Sequence, residues 1–132
     1  MAYAAVVTIT KQGGHDYLVQ ITETEAGAAT EATISGMPLR GRILRQQATK
    51  TAGSAATIDP VLGNAANPTA AAASVIVAND TAAATIDNVS DPAIPYFTTD
   101  GNLYHRSVCN TGSDNSVTTI YYVSASNPAT GW

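Results

Sequence analysis

The sequence predicts an all-β fold, an antiparallel β-sandwich in a single domain over residues 1–132, and three observations predict it. The first is the pair of runs Leu103–Val108 and Val117–Val123, rich in β-branched and aromatic residues and separated by the turn formers Asn110, Thr111, Gly112, Ser113, Asp114 and Asn115. The second is the recurrence of short apolar runs between turn residues along the rest of the chain, and the third is the lack of a long amphipathic helical pattern. The two runs read as the arms of one antiparallel hairpin. On the second arm Val117, Thr119, Tyr121 and Val123 alternate with Thr118, Ile120, Tyr122 and Ser124. Both faces carry large apolar side chains, the mark of a strand between two packed surfaces.

The opening AYAAVVTIT reads as a strand with Tyr3, Ala5, Val7 and Ile9 on one face. The turn KQGGHD, Lys11 to Asp16, joins it to a second strand in which Tyr17, Val19 and Ile21 alternate with Leu18, Gln20 and Thr22. Residues 23–33, acidic, alanine-rich and interrupted by Gly27, read as a loop. Pro38 suits the first residue of a strand that places Leu39, Gly41 and Ile43 on one face and Arg40, Arg42 and Leu44 on the other. From Thr51 to Val89 the composition predicts short strands and long loops. The phrase ATID occurs at Ala56–Asp59 and again at Ala84–Asp87, too little to establish a repeat. In NPTAAAAS, Asn67 and Pro68 could open a single helical turn or an ordered loop. Asp91–Gly101, with two prolines, reads as an edge segment leading into the last two strands. The predicted core is Val7, Ile9, Val19, Ile21, Ile43, Val75, Val77, Leu103, Ile120 and Val123.

Composition narrows function by exclusion. Charged residues make up only 12% of the 132, with 6 Lys and Arg against 10 Asp and Glu, a formal charge of −4. That balance argues against a dedicated nucleic-acid binder, which needs a basic face for phosphate. Cys109 is the single cysteine, so neither an intrachain disulfide nor a multi-cysteine zinc site can form. No apolar stretch approaches the ~20 residues of a membrane-spanning helix, and the opening lacks a basic n-region, so the chain reads as soluble and made in the cytoplasm.

No motif announces a reaction. There is no G-x-S-x-G; His15 falls in a glycine turn and His105 beside Arg106, neither in a catalytic or metal-binding pattern. Asp16, Asp100 and Asp114 occupy turns, where aspartate bonds to the local backbone, and Cys109 reads as a small packed residue. The sequons at Asn79 and Asn88 matter only in a secreted eukaryotic protein. The informative charge feature is Arg40, Arg42, Arg45 and Lys50, four of the six basic residues within eleven positions. They form either a solvated strand face or a docking patch for an acidic partner. Tyr96, Phe97 and the terminal Trp132 are large aromatics suited to a subunit interface.

The short strand after MAY, the phrases AGSAATIDPVLGNAANP, TDGNLYHRSV and DNSVTTIYYVSA, and the closing GW together resemble the small β-rich decoration, or cement, proteins of tailed-bacteriophage capsids. The resemblance implies a compact β-sandwich or jelly-roll-like domain on the outer capsid surface. It implies a homotrimer that straps neighbouring subunits of the major capsid protein, with no catalysis and no cofactor. The basic strand and the aromatics then become expected capsid and subunit contacts. Two other readings compete: a phage tail or fibre module binding host glycan through Tyr96, Phe97 and Tyr104, and a small hydrolase using His105.

Overall fold

The structure, a computed structural model, describes residues 3–13, 16–27, 30–34, 41–66, 68, 75–78, 83–89, 96–97 and 102–125, with backbone alone at 13, 41, 75, 96, 97 and 125. Every regular element among them is a strand: β1 (Ala4–Gly13), β2 (Asp16–Ala26), β3 (Ala32–Ile34), β4 (Gly41–Ala52), β5 (Ile58–Gly63), β6 (Val75–Ala78), β7 (Thr85–Val89), β8 (Tyr96–Phe97), β9 (Leu103–Cys109) and β10 (Asn115–Ala125). They form two antiparallel sheets. The larger runs β1-β2-β10-β4-β7, with β8 also pairing β4, and the smaller runs β3-β9-β5-β6.

Leaving β1 and β8 aside, the eight remaining strands pair first with last (β2 with β10), second with seventh (β3 with β9), third with sixth (β4 with β7) and fourth with fifth (β5 with β6). This is the nesting of one long antiparallel hairpin rolled up so that successive strands of each arm fall in alternate sheets, the double-sheet jelly roll. The expected all-β sandwich is therefore present.

The expected hairpin of Leu103–Val108 with Val117–Val123 is not. β9 pairs β3 and β5 in one sheet, while β10 pairs β2 and β4 in the other. The reason lies in the length and two-sidedness of β10. Its eleven residues find longer ladders on β2 and β4 than the seven-residue β9 could offer. The connection is a corner between sheets, clamped by the buried side chain of Asn115. Its Nδ2 donates to the carbonyls of Ala26 and Thr111, both at 3.1 Å, and its Oδ1 accepts from the Ala55 N–H at 2.8 Å. Gly53 makes this possible. It sits at φ +112°, and a Cβ there would lie 2.5 Å from the Asn115 Cα.

Two further readings are corrected. Residues 23–26 continue β2, and residues 32–34 form β3 rather than a loop. Glu23 takes an inward position on β2 between β1 and β10, and its interior partners hold the segment extended. Ile120 is half-buried on the outer face of the large sheet. The inward set of β10 is Val117, Thr119, Tyr121 and Val123, all buried. Val19, Ile21, Ile43, Val77, Leu103 and Val123 are buried as expected, and Val7 and Ile9 pack half-buried beside them. The Val75 side chain, residues 67 and 69–74, and the start of the Pro38 strand lie outside the described residues. The two ATID copies open β5 and β7, which belong to different sheets, though Ile58 donates its N–H to the Ala83 carbonyl at 2.8 Å.

Candidate functional site

The apolar interior divides into two clusters, one around Val19, Ile21, Ile34, Ile43, Leu62, Leu103 and Val123, the other around Ala26, Ala48, Ala55, Ile58, Ile86, Cys109 and Val117. A layer of polar side chains lies between the sheets where strand alternation brings them. From β9 come His105 and Ser107, inward with Leu103 and Cys109. From the large sheet come Glu23 on β2, Gln46 on β4, and Thr119 and Tyr121 on β10. None of the six is more than 1% exposed.

Their bonds form a directed chain. Asn88 Nδ2 donates to Gln46 Oε1 at 2.7 Å, and Gln46 Nε2 donates to the Tyr121 hydroxyl at 2.9 Å. That hydroxyl lies 2.7 Å from His105 Nδ1, and His105 Nε2 lies 3.0 Å from Glu23 Oε1. Ser107 Oγ donates to the same carboxylate oxygen at 2.7 Å, while Tyr3, just before β1, donates to Glu23 Oε2 at 2.9 Å. The network assigns the tautomer. With the proton on Nε2, Tyr121 donates to Nδ1, His105 donates to Glu23, and each proton in the chain has an acceptor. A proton on Nδ1 as well would leave the Tyr121 hydroxyl receiving two donors and giving to none. The His105 and Tyr121 rings also meet edge to face, at 76° with centroids 5.6 Å apart.

The electrostatics follow from burial. Burial pushes the Glu23 carboxyl up, but hydrogen bonds from His105, Ser107 and Tyr3 outweigh it and hold the group below its ordinary value. Burial and the Glu23 charge push the Tyr3 hydroxyl far up. Burial does the same at Tyr121, against a lowering hydrogen bond from Gln46.

Ser107, His105 and Glu23 have the composition of a hydrolase triad and not its geometry. A working triad places the serine on one imidazole nitrogen and the acid on the other, so that the base can take the serine proton. Here Ser107 Oγ and Glu23 Oε1 both approach Nε2, each at 3.0 Å, and Nδ1 is occupied by Tyr121. Ser107 also directs its proton to the carboxylate, and no atom of the trio reaches solvent. The arrangement can brace two sheets and cannot present a nucleophile. The brace is hidden in the sequence because Glu23 falls in a stretch, residues 23–33, whose composition reads as a loop. The available signal was alternation: Val19, Ile21 and Glu23 share one face of β2, and Leu103, His105, Ser107 and Cys109 share one face of β9.

The basic residues of β4 are separated by the strand. A register shift opposite Tyr122 and Val123 leaves Leu44 as the extra residue, so Arg42 and Arg45 both fall on the outer face with Ile43 and Gln46 inward. Arg45 is engaged: its Nε and Nη2 hold Asp87 Oδ1 and Oδ2 at 2.7 and 2.6 Å across to β7. Lys50 lies on the other side of the strand, half-buried, and donates to the Gly53 carbonyl at 3.0 Å. Arg42 is half-buried with an Nε that has no hydrogen-bond partner. Arg40, Trp132 and the side chains of Tyr96 and Phe97 lie outside the described residues, as does His15; the β8 backbone runs beside Arg42 and Ile43. Tyr104 is half-buried on the outer face of β9. Beside it Arg106 is buried and donates to the Pro68 carbonyl at 3.0 Å.

The outer face of the large sheet is flat in chemistry. One row across it reads Val6, Thr22, Thr118, Thr49 and Thr85, and the next Thr8, Gln20, Ile120, Gln47 and Asp87. Among the described residues no group of three or more His, Cys, Asp or Glu side chains could hold a metal ion. Compared with known protein families and with curated proteins, the chain matches none.

Proposed function

We propose that the protein is a structural component of a tailed-phage virion that decorates the capsid, binding across neighbouring subunits of the major capsid protein. The observation that carries this reading is the sealed Glu23–His105–Ser107 layer beneath a broad outer face of threonine, glutamine and short apolar side chains. The chain's polar investment goes into holding two sheets together, and its low-charge outer face is suited to lying against another protein. Short side chains lose little rotamer freedom when an interface immobilises them. A jelly roll is a rigid frame for such a surface and is used by capsid proteins and lectins alike, so fold alone does not separate the two.

Of the expected capsid contacts, Arg42 is the described residue best placed to meet a carboxylate, because it lies on the outer face of β4 while Arg45 is already paired with Asp87 and Lys50 is turned to the Gly53 carbonyl on the other side of the strand. The test adds purified protein to heads that lack it. Binding should saturate, and Arg42→Ala should slow association at low salt and lose most of that effect at ~0.15 M. Arg45→Ala should leave the rate unchanged. Failure to bind heads, together with retention on a host-glycan array, would transfer the protein to the tail or fibre reading.

A further inference from the structure

The large sheet has one edge unlike the others. The remaining outer strands are short: β3 has 3 residues, β6 has 4, β7 has 5 and β8 has 2. β1 has 10, and among the described residues it pairs only with β2. Natural sandwiches guard long edges with charge, proline or a bulge, because unpaired N–H and C=O groups recruit other strands. In β1 the only such devices are Lys11 and the register shift between Lys11 and Gly13, both at its far end. The run Ala4–Thr10 has no charge, no proline and no glycine.

A second observation concerns side chains. The inward residues Ala5, Val7 and Ile9 pack against the core yet remain only half-buried, and outward Val6 is 65% exposed. The apolar inner face of β1 therefore stays partly wet.

We propose that β1 is a self-pairing edge: two copies of this chain join β1 to β1 antiparallel about a two-fold axis, making one continuous sheet. The sequence is self-complementary in the register centred on Val7. There Ala4–Thr10 pairs with itself along its whole length, and no charged residue faces any member of the run. Inside, Val7 meets Val7 and Ala5 meets Ile9, small against large. Outside, Val6 meets Thr8. A two-fold contact of this kind uses the same patch twice and closes without leaving a further edge. It differs from the trimer that the capsid resemblance implies, and it does not depend on the capsid reading, because it belongs to the isolated protein.

Sedimentation equilibrium on the full chain tests it, with two charge variants that exploit the register. Val6 and Thr8 are both exposed, so substitutions there leave the core intact, which circular dichroism and a thermal melt verify. Wild type should be a dimer. In V6K/T8K each new lysine faces a lysine of the other copy, and dimerisation should weaken at least ~100-fold. In V6K/T8E each lysine faces a glutamate, and the dimer should return. A monomeric or trimeric wild type would overturn the proposal, as would dimerisation indifferent to V6K/T8K. Equal weakening in both variants would overturn the register centred on Val7.

Discussion

Glu23 is tolerated in the core because three donors, from His105, Ser107 and Tyr3, converge on its carboxylate. A buried charge so held contributes little net stability, yet removing one partner strands the rest. Glu23→Ala leaves those donors without an acceptor and should cost roughly 1–3 kcal/mol for each group orphaned in the interior, read by urea unfolding. Tyr121→Phe leaves both Gln46 Nε2 and His105 Nδ1 without partners and should cost roughly 1–3 kcal/mol for each orphaned group. The control is Tyr122→Phe, which loses one half-buried bond to Gln47 Oε1 and should cost about 1 kcal/mol. Cys109 gives a separate check. It is buried, and burial with the Glu23 charge pushes its thiol up, so a thiol reagent should label it only as the protein unfolds. Rapid labelling of the native protein would show that this end of the interior is open. Cys109 was legible in the sequence as a packed residue. The brace was not, because its members stand 82 positions apart and no local pattern joins them.

At the scale of strands, inward and outward faces make opposite demands. Ile21→Ala, fully buried on β2, should cost about 2–5 kcal/mol, whereas Ile120→Ala on the outer face should cost less than ~1.5 kcal/mol. Equal losses would mean that β10 is turned over. The β9–β10 corner depends on Gly53: alanine there would meet Asn115 and adopt a φ of +112°, a strain of about 1–3 kcal/mol or more. The β1–β2 hairpin could be read directly, since two alternating runs flank a glycine turn and the partners are sequence neighbours. β9 and β10 show the limit of such reading. Their turn residues and β-branched runs describe a hairpin equally well, and only competition from β2 and β4, more than sixty residues upstream, sends them to separate sheets. Ile120 and Tyr121 were ambiguous for a related reason: both faces of β10 are apolar, so alternation alone does not say which face is inward.

The whole molecule combines a rigid jelly roll with a surface poor in charge, and its stability should respond to pH on both sides of neutrality. Glu23 titrates below its ordinary 4.5 in the folded state, so its contribution is full above that value and is lost as the pH falls through the lower folded value. Asp87, held by Arg45, and Asp114, held by Ser54, shift in the same direction from 3.8, though both are exposed and add little. Tyr3 and Tyr121 shift upward from 10.0, so their contribution is full below that value and is lost as the pH rises above it. The melting temperature should fall as the pH drops below about 4.5 and again as it rises above about 10, with the acid limb reduced in Glu23→Gln. The all-β class followed from strand patterning, whereas the rolled order depends on pairings between strands far apart in sequence. The proposed capsid role can be checked by counting copies: quantitative mass spectrometry of purified phage heads from the phage that encodes this chain. The expected result is a fixed molar ratio to the major capsid protein that survives repeated purification. Absence from the heads, or a ratio that falls with each purification step, would contradict it.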